Sequence, residues 1–208
     1  MSDPLETGQS PSPTPMSDHD APVGVPTVLF LCTGNAARSV MAAALLRKNN
    51  PGVKVTSAGT HSIPGLPMST RTRTALAGVG ASDPDHRSAQ LDDEMAQSAT
   101  VIAVFEPMHV SYVRKKHPAV ADRAASLPRL VRDLADGPAS TLAERVAALN
   151  LAECDFEPWE EVVDPAGGEL PDFEAAAAAI DQLVCALQPK LGQLKSGPPN
   201  LGADGATT

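Results

Sequence analysis

The chain has 208 residues, 42% of them hydrophobic and 20% charged, enough for one sizeable buried core. Only 3% is aromatic, so Ala, Val and Leu must fill that core, and nothing approaches the roughly 18 consecutive apolar residues of a membrane span. The net charge is −9, and because residues 1–25 hold four acids and no Lys or Arg, the remainder carries −5 from 21 acids and 16 bases. An acidic chain without a basic stripe is not built for nucleic acid.

Residues 1–25 contain five Pro, several Ser and Asp, and no apolar period; such a segment reads as a disordered arm. A single domain is expected over 26–190, with a second disordered tail over 191–208. Thr27–Cys32 (TVLFLC) is an unbroken apolar run suited to a central strand covered on both faces. Arg38–Asn49 carries apolar residues at helical spacing and is stopped by Asn50-Pro51-Gly52. A short strand follows at Val53–Ser57, then helices at Ser69–Gly78 and Asp92–Ala99. A strand is expected at Thr100–Phe105, a helix at Met108–Lys116 and a weaker strand at Ala124–Leu127. Helices over Thr141–Leu149 and Pro171–Leu187 close the domain. Alternating strands and helices predict an α/β fold, with a four-stranded, doubly wound parallel sheet. Ligands of such sheets sit at the carboxyl ends of the strands.

The chemistry concentrates in CTGNAARS. Cys32 ends the first strand, and Arg38 and Ser39 open the first helix. Between them Thr33, Gly34, Asn35, Ala36 and Ala37 form a connection able to curl around an anion, with backbone N–H groups inward at a helix N-terminus. Arg38 can hold two oxygens of a phosphate-like group. The amide dipoles, the helix end and Arg38 favour thiolate over thiol at Cys32, and the Ser39 hydroxyl can donate to the sulfur. The result is a nucleophile aimed at an oxyanion already held. A leaving group needs a proton, and the best placed acid is Asp164, fixed by Pro165 and followed by the pliable Gly167-Gly168.

These segments, with SAGT at Ser57–Thr60, His86-Arg87-Ser88 and Asp164-Pro165 in the same order, resemble the low-molecular-weight protein tyrosine phosphatases. The thioredoxin-fed arsenate reductases share that fold. The resemblance runs from about Val28 to Leu187. It implies a phosphate-binding loop over residues 33–39 after the first strand, and phosphomonoester hydrolysis through a phosphocysteine on Cys32. Arg38 is then the oxyanion clamp, Asp164 the general acid and later the base, and Asn35, Ser39, Ser57 and His86 the support of the loop. No metal or organic cofactor is implied, and the substrate is a phosphorylated protein or small phosphomonoester.

The departures are equally specific. A second loop cysteine common in the family is replaced by Ala37. Ala166 and Gly167 stand where tyrosine phosphatases place aromatic residues beside the substrate ring. An arsenate reductase using an external thiol is the alternative, since Asp-Pro-Ala also occurs there, but the stretch ASDPDHRSAQLDDEM lacks the extra cysteines of the thioredoxin-fed enzymes. A non-catalytic phosphate-binding module is a third reading, opposed by the presence of Cys32, Arg38 and Asp164 together. Three sparse cysteines (Cys32, Cys154, Cys185) give no disulfide framework, and no signal peptide precedes them, so a reduced, cytoplasmic protein without membrane attachment is expected. His109 and His117 read as a solvated helix face, Glu106 as a helix cap or a cleft-rim residue, and Trp159 as a packing anchor. The sequence does not set the oligomeric state.

Overall fold

The computed structural model describes residues 24–49, 52–137 and 140–192. The expected arm lies almost entirely outside the described residues, as does the tail beyond Gly192. Four strands, β1 (Thr27–Cys32), β2 (Lys54–Gly59), β3 (Val101–Val104) and β4 (Ala124–Ser126), form one parallel sheet in the order β2-β1-β3-β4. β1 therefore has a neighbour on each side, which explains its apolar sequence: every residue of TVLFLC is buried.

The alternation within β1 separates two cores. Val28, Phe30 and Cys32 face α1 (Arg38–Asn49) and α7 (Leu170–Leu187), with Leu45, Leu46, Ile180 and Val184 among the residues packed there. Leu29 and Leu31 face the opposite side, beneath Ala96 of α3 (Asp93–Ser98) and Val110 and Val113 of α4 (Pro107–Lys116). Helices thus cover both faces, as the apolar run predicts. The Ala-rich stretch of α1 is buried from Arg38 through Leu46, because small side chains let the helix lie close on the sheet. No helix of the described residues is long and apolar enough to cross a membrane.

Element boundaries agree with the sequence reading within a few residues: β2 is shifted to Lys54–Gly59, α2 spans Thr70–Gly78 and α6 spans Leu142–Ala147. One helix escapes the reading. α5 (Leu127–Asp133) begins where a weak strand was expected to end; its signals are the Ser126 side chain accepting from the Arg129 amide and Pro128 in the first turn. This helix positions the loop that carries Asp164. Arg129 Nε donates to Glu160 Oε2 at 2.8 Å, Arg129 Nη2 to Glu160 Oε1, and Ser126 Oγ to Glu160 Oε2 at 2.6 Å. Burial pushes the Glu160 carboxyl up, but hydrogen bonds from Arg129, Ser126 and the Glu157 amide outweigh it and leave the group below its ordinary range. Breaking a buried pair leaves the other charge uncompensated. Glu160→Ala is therefore expected to cost about 3–5 kcal/mol in urea unfolding, and a loss below about 1 kcal/mol would show that the pair does not anchor the loop.

Candidate active site

β1 and β3 end side by side at the point where the connections diverge to opposite faces of the sheet, and the loop Thr33–Ala37 leaves β1 there. Gly59, at the end of β2, backs the loop. A Cβ there would lie 2.5 Å from the Thr33 carbonyl oxygen and 2.9 Å from the Asn35 nitrogen, so the two backbones approach as closely as only glycine permits. The Thr60 and His61 amides then donate to the carbonyls of Cys32 and Thr33, both at 2.9 Å.

The loop is held from outside by its carbonyls and side chains. Asn35 has φ 50°, a left-handed conformation that suits asparagine better than most residues. Its carbonyl bonds to His86 Nε2 at 2.9 Å and its side-chain oxygen accepts from the Ala89 amide at 2.9 Å. The Ala36 carbonyl accepts from Thr72 Oγ1 at 2.9 Å, and Thr72 lies fully buried in the first turn of α2. With the carbonyls engaged outward, the N–H groups of Gly34, Asn35, Ala36, Ala37, Arg38 and Ser39 donate to no acceptor among the described residues. Asn35, Arg38 and Ser39 are buried, Gly34 and Ala37 half-buried and Ala36 exposed; a run of successive N–H groups without internal acceptors, ending in a helix N-terminus, can receive an anion.

Cys32 is 3% exposed, and its Sγ lies 3.0 Å from Ser39 Oγ. Asn35 Nδ2 donates to that same oxygen at 2.9 Å. Ser39 Oγ accepts from Asn35 Nδ2 and keeps its own hydrogen available to the sulfur.

Arg38 is 1% exposed, and its guanidinium is held by three hydrogen bonds. Nη1 donates to Glu106 Oε1 at 2.5 Å and to the Val162 carbonyl at 3.0 Å; Nη2 donates to Asp164 Oδ2 at 2.6 Å. The sequence-predicted clamp and acid are thus in direct contact, although 126 positions separate them. The Val162 amide donates to the Phe105 carbonyl at 2.9 Å, which ties the acid's loop to the end of β3. Asp164 Oδ1 also accepts from the Ala166 amide at 3.1 Å, a turn in which Pro165 fixes the backbone.

The expectations for Ser57 and His109 need correction, and those for Glu106 and Trp159 are narrowed. The Ser57 hydroxyl makes no hydrogen bond to the loop among the described residues. Ser57, on β2, is in register with Phe30 of β1, and the segment around His86 and Ala89 supports the loop instead. Glu106 occupies the N-cap of α4 without a side-chain cap bond; the guanidinium of Arg38 takes its carboxylate. His109 is not on a solvated face. It is 0% exposed, and its Nε2 lies 3.0 Å from Thr33 Oγ1. Trp159, read as a packing anchor, packs at the surface: it is 43% exposed, with the Arg132 guanidinium 4.0 Å over its ring. Sequence reasoning missed Thr72, Ala89 and Val162. Of these only Thr72 left a trace, in the capping pattern Ser69-x-x-Thr72.

Burial, aided by the nearby Arg38 charge, lowers the His109 pKa to about 4 despite the opposing Asp164 charge. The unfolded chain takes up this proton near pH 6.5 and the folded protein only near 4. Stability is therefore full above about pH 6.5 and falls as the pH drops toward 4, by up to about 3 kcal/mol. His109→Asn should flatten this part of a stability profile measured by urea unfolding. An unchanged slope between pH 6.5 and 4 would remove His109 as its source.

Cys154 bonds to the carbonyls of Leu149 and Asn150, and Cys185 lies exposed on α7. Neither thiol is hydrogen-bonded to the loop.

Residues 27–137 match the sequence profile of the family described as low molecular weight phosphotyrosine protein phosphatase. A probable low molecular weight protein-tyrosine-phosphatase, EpsP of Ralstonia nicotianae, is 31% identical over 136 residues, covering 65% of this chain and 94% of the relative. A protein-arginine-phosphatase of Geobacillus stearothermophilus is 31% identical over 165 residues, covering 79% and 95%. The solved YwlE arginine phosphatase from the same organism superposes with a TM-score of 0.64 at 31% identity, over 79% of this chain and 92% of that one. The arsenate-reductase alternative is not favoured by these relatives, all phosphatases by name. Profile, relatives and fold agree on what the strand–loop–helix already indicates: the chain belongs to the low molecular weight phosphotyrosine protein phosphatase family, a family of cysteine-based hydrolases.

Proposed function

We propose that the protein dephosphorylates phosphorylated proteins in two steps through a phosphocysteine on Cys32. The observation that carries this reading is Cys32, in contact with Ser39 at 3.0 Å, at the base of a loop whose Gly34–Ser39 amides donate to no acceptor among the described residues. The amides and Arg38 hold three phosphoryl oxygens and meet the charge that grows on them in the transition state. Cys32 Sγ attacks phosphorus as the phosphorus–oxygen bond to the substrate breaks. Asp164 gives its proton to the leaving oxygen. A water oxygen then attacks the phosphocysteine while Asp164 takes the water's proton, and the sulfur leaves with the electron pair of its bond to phosphorus. The two side chains and one water balance the reaction.

Arg38 has a second duty in this scheme. Nη1, fixed by Glu106 and the Val162 carbonyl, sets the plane of the guanidinium, and Nη2 draws Asp164 to the mouth of the loop. An arriving phosphoryl group competes with Asp164 for that nitrogen and frees the carboxyl next to the leaving group.

Phosphotyrosine is the substrate named in the family description. Phosphoarginine is a second reading, supported by small Ala166 and Gly167 after Asp164-Pro165 and by the arginine-phosphatase relative. Hydrolysis of p-nitrophenyl phosphate tests the reaction, and paired phosphotyrosyl and phosphoarginyl peptides test the residue preference. Asp164→Ala is expected to slow p-nitrophenyl phosphate turnover by about 10²–10³-fold, within the range for loss of a general acid. Full activity in this variant would move the acid elsewhere.

A further inference from the structure

Beyond Asp164 the surface opens into a groove of about 760 Å³ between the loop around Trp159–Gly168 and the outer face of α7. Ala175, Ala179 and Leu183 of α7 form its floor. Trp159 and Val163, 43% and 77% exposed, stand along the loop side. From Asp172 to Leu183 the helix advances about 16 Å, the span of about five residues of extended polypeptide. Large apolar side chains scattered singly need no explanation, but here they share one concavity with a small-residue floor.

We infer that this groove seats the polypeptide flanking the phosphorylated residue, and that it selects an apolar side chain accompanied by a basic one. The inference rests on the protein-phosphatase reading above and names its substrate class. Continuity with the site carries it. Asp164 lines the groove, so a chain whose phosphoryl group reaches Cys32 past Asp164 has neighbouring residues at the groove's mouth. Charge sets the rest. Glu161, Asp164 and Asp172 line the groove; Asp164 is paired with Arg38 and the Arg132 guanidinium covers one face of Trp159, so Glu161 and Asp172 carry its remaining negative charge, which favours a basic residue and disfavours an acidic one. Other occupants fit less well. A second copy brings a further charge of −9 to an acidic rim, and residues 1–25 bring four acids and no base.

Two phosphopeptides of equal length test this, each made with phosphotyrosine and with phosphoarginine and compared in the form the protein hydrolyses faster. One has Leu and Lys within four residues on either side, the other Gly and Glu. Their kcat/KM values are compared in the wild-type protein, Ala179→Arg and Trp159→Ala, with p-nitrophenyl phosphate as the reference, too small to reach the groove. The wild type should prefer the Leu/Lys peptide by about ten-fold or more, the worth of one buried Leu. Ala179→Arg, which fills the floor and reverses its charge, should bring the ratio close to one, mainly through KM; Trp159→Ala should reduce it partway. Equal rates, or none, on both peptides beside intact p-nitrophenyl phosphate turnover would overturn the groove assignment alone. Loss of p-nitrophenyl phosphate turnover to the level of Cys32→Ser would instead defeat the phosphatase reading. Two further results would also overturn the groove assignment: a dimer by sedimentation that Ala179→Arg converts to monomer, or equal gains on both peptides when the chain is ended at Gly192. These would give the groove to a second copy or to the tail.

Discussion

Cys32→Ser is expected to reduce p-nitrophenyl phosphate turnover to the buffer background while leaving the fold and the anion site in place. The substitution is nearly isosteric, and Cys32 sits at the end of a strand whose every residue is buried, so packing changes little. The chemistry changes entirely. A serine hydroxyl is far less acidic than a thiol, and the Ser39 hydroxyl 3.0 Å away is a hydrogen-bond donor with no capacity to remove its proton. The six loop amides and Arg38 remain, so inorganic phosphate or vanadate should still protect this variant against thermal unfolding. Turnover within about ten-fold of wild type would mean that the loop only binds and another group attacks; that margin is small beside the span of enzymatic rate enhancement.

Arg38→Lys is expected to cost about 10³–10⁴-fold in kcat/KM, more than the 10²–10³ found for one neutral oxyanion donor, because a charged two-pronged donor is lost. The reason is geometric. The guanidinium reaches Glu106, the Val162 carbonyl and Asp164 at once, at 2.5, 3.0 and 2.6 Å, whereas an ammonium is a single point charge that cannot span them. Loss of the Nη2 bond also releases Asp164, so part of the defect should appear as weaker leaving-group protonation. Arg38→Lys and Asp164→Ala are therefore expected to be less than additive in kcat when combined. Additive losses would show that the clamp and the acid act independently.

The first of these residues was readable from the chain alone, because local chemistry is written locally. A buried strand ending in Cys, a small loop and a helix opening with Arg and Ser are contiguous, and β1 and α1 appear within the expected bounds. Asn35 and His86 were placed by resemblance, and the structure adds the atoms: the Asn35 carbonyl on His86 and its amide on Ser39. What the sequence concealed are contacts made by backbone groups or across long separations. The Val162 carbonyl on Arg38 and the Ala89 amide on Asn35 carry no side-chain signature. Glu106 reaches Arg38 only because β1 and β3 are neighbours in the sheet, an adjacency that strand propensities do not encode. His109 misled because neighbouring Arg114, Lys115 and Lys116 made its helix look solvated, while the first turn of that helix faces the loop. Ser57 misled in the other direction, since its strand lies beside β1 but its hydroxyl bonds nothing in the loop.

The central claim is that the sulfur of Cys32 becomes covalently bound to phosphorus during turnover. Acid-quenching the protein in steady state with p-nitrophenyl phosphate, then mapping the phosphoryl group by peptide mass, tests it most directly. One phosphoryl group is expected on the peptide bearing Cys32, absent from Cys32→Ser. Continued turnover by Cys32→Ser, with no phosphoryl group on Cys32 in the wild type, would contradict it.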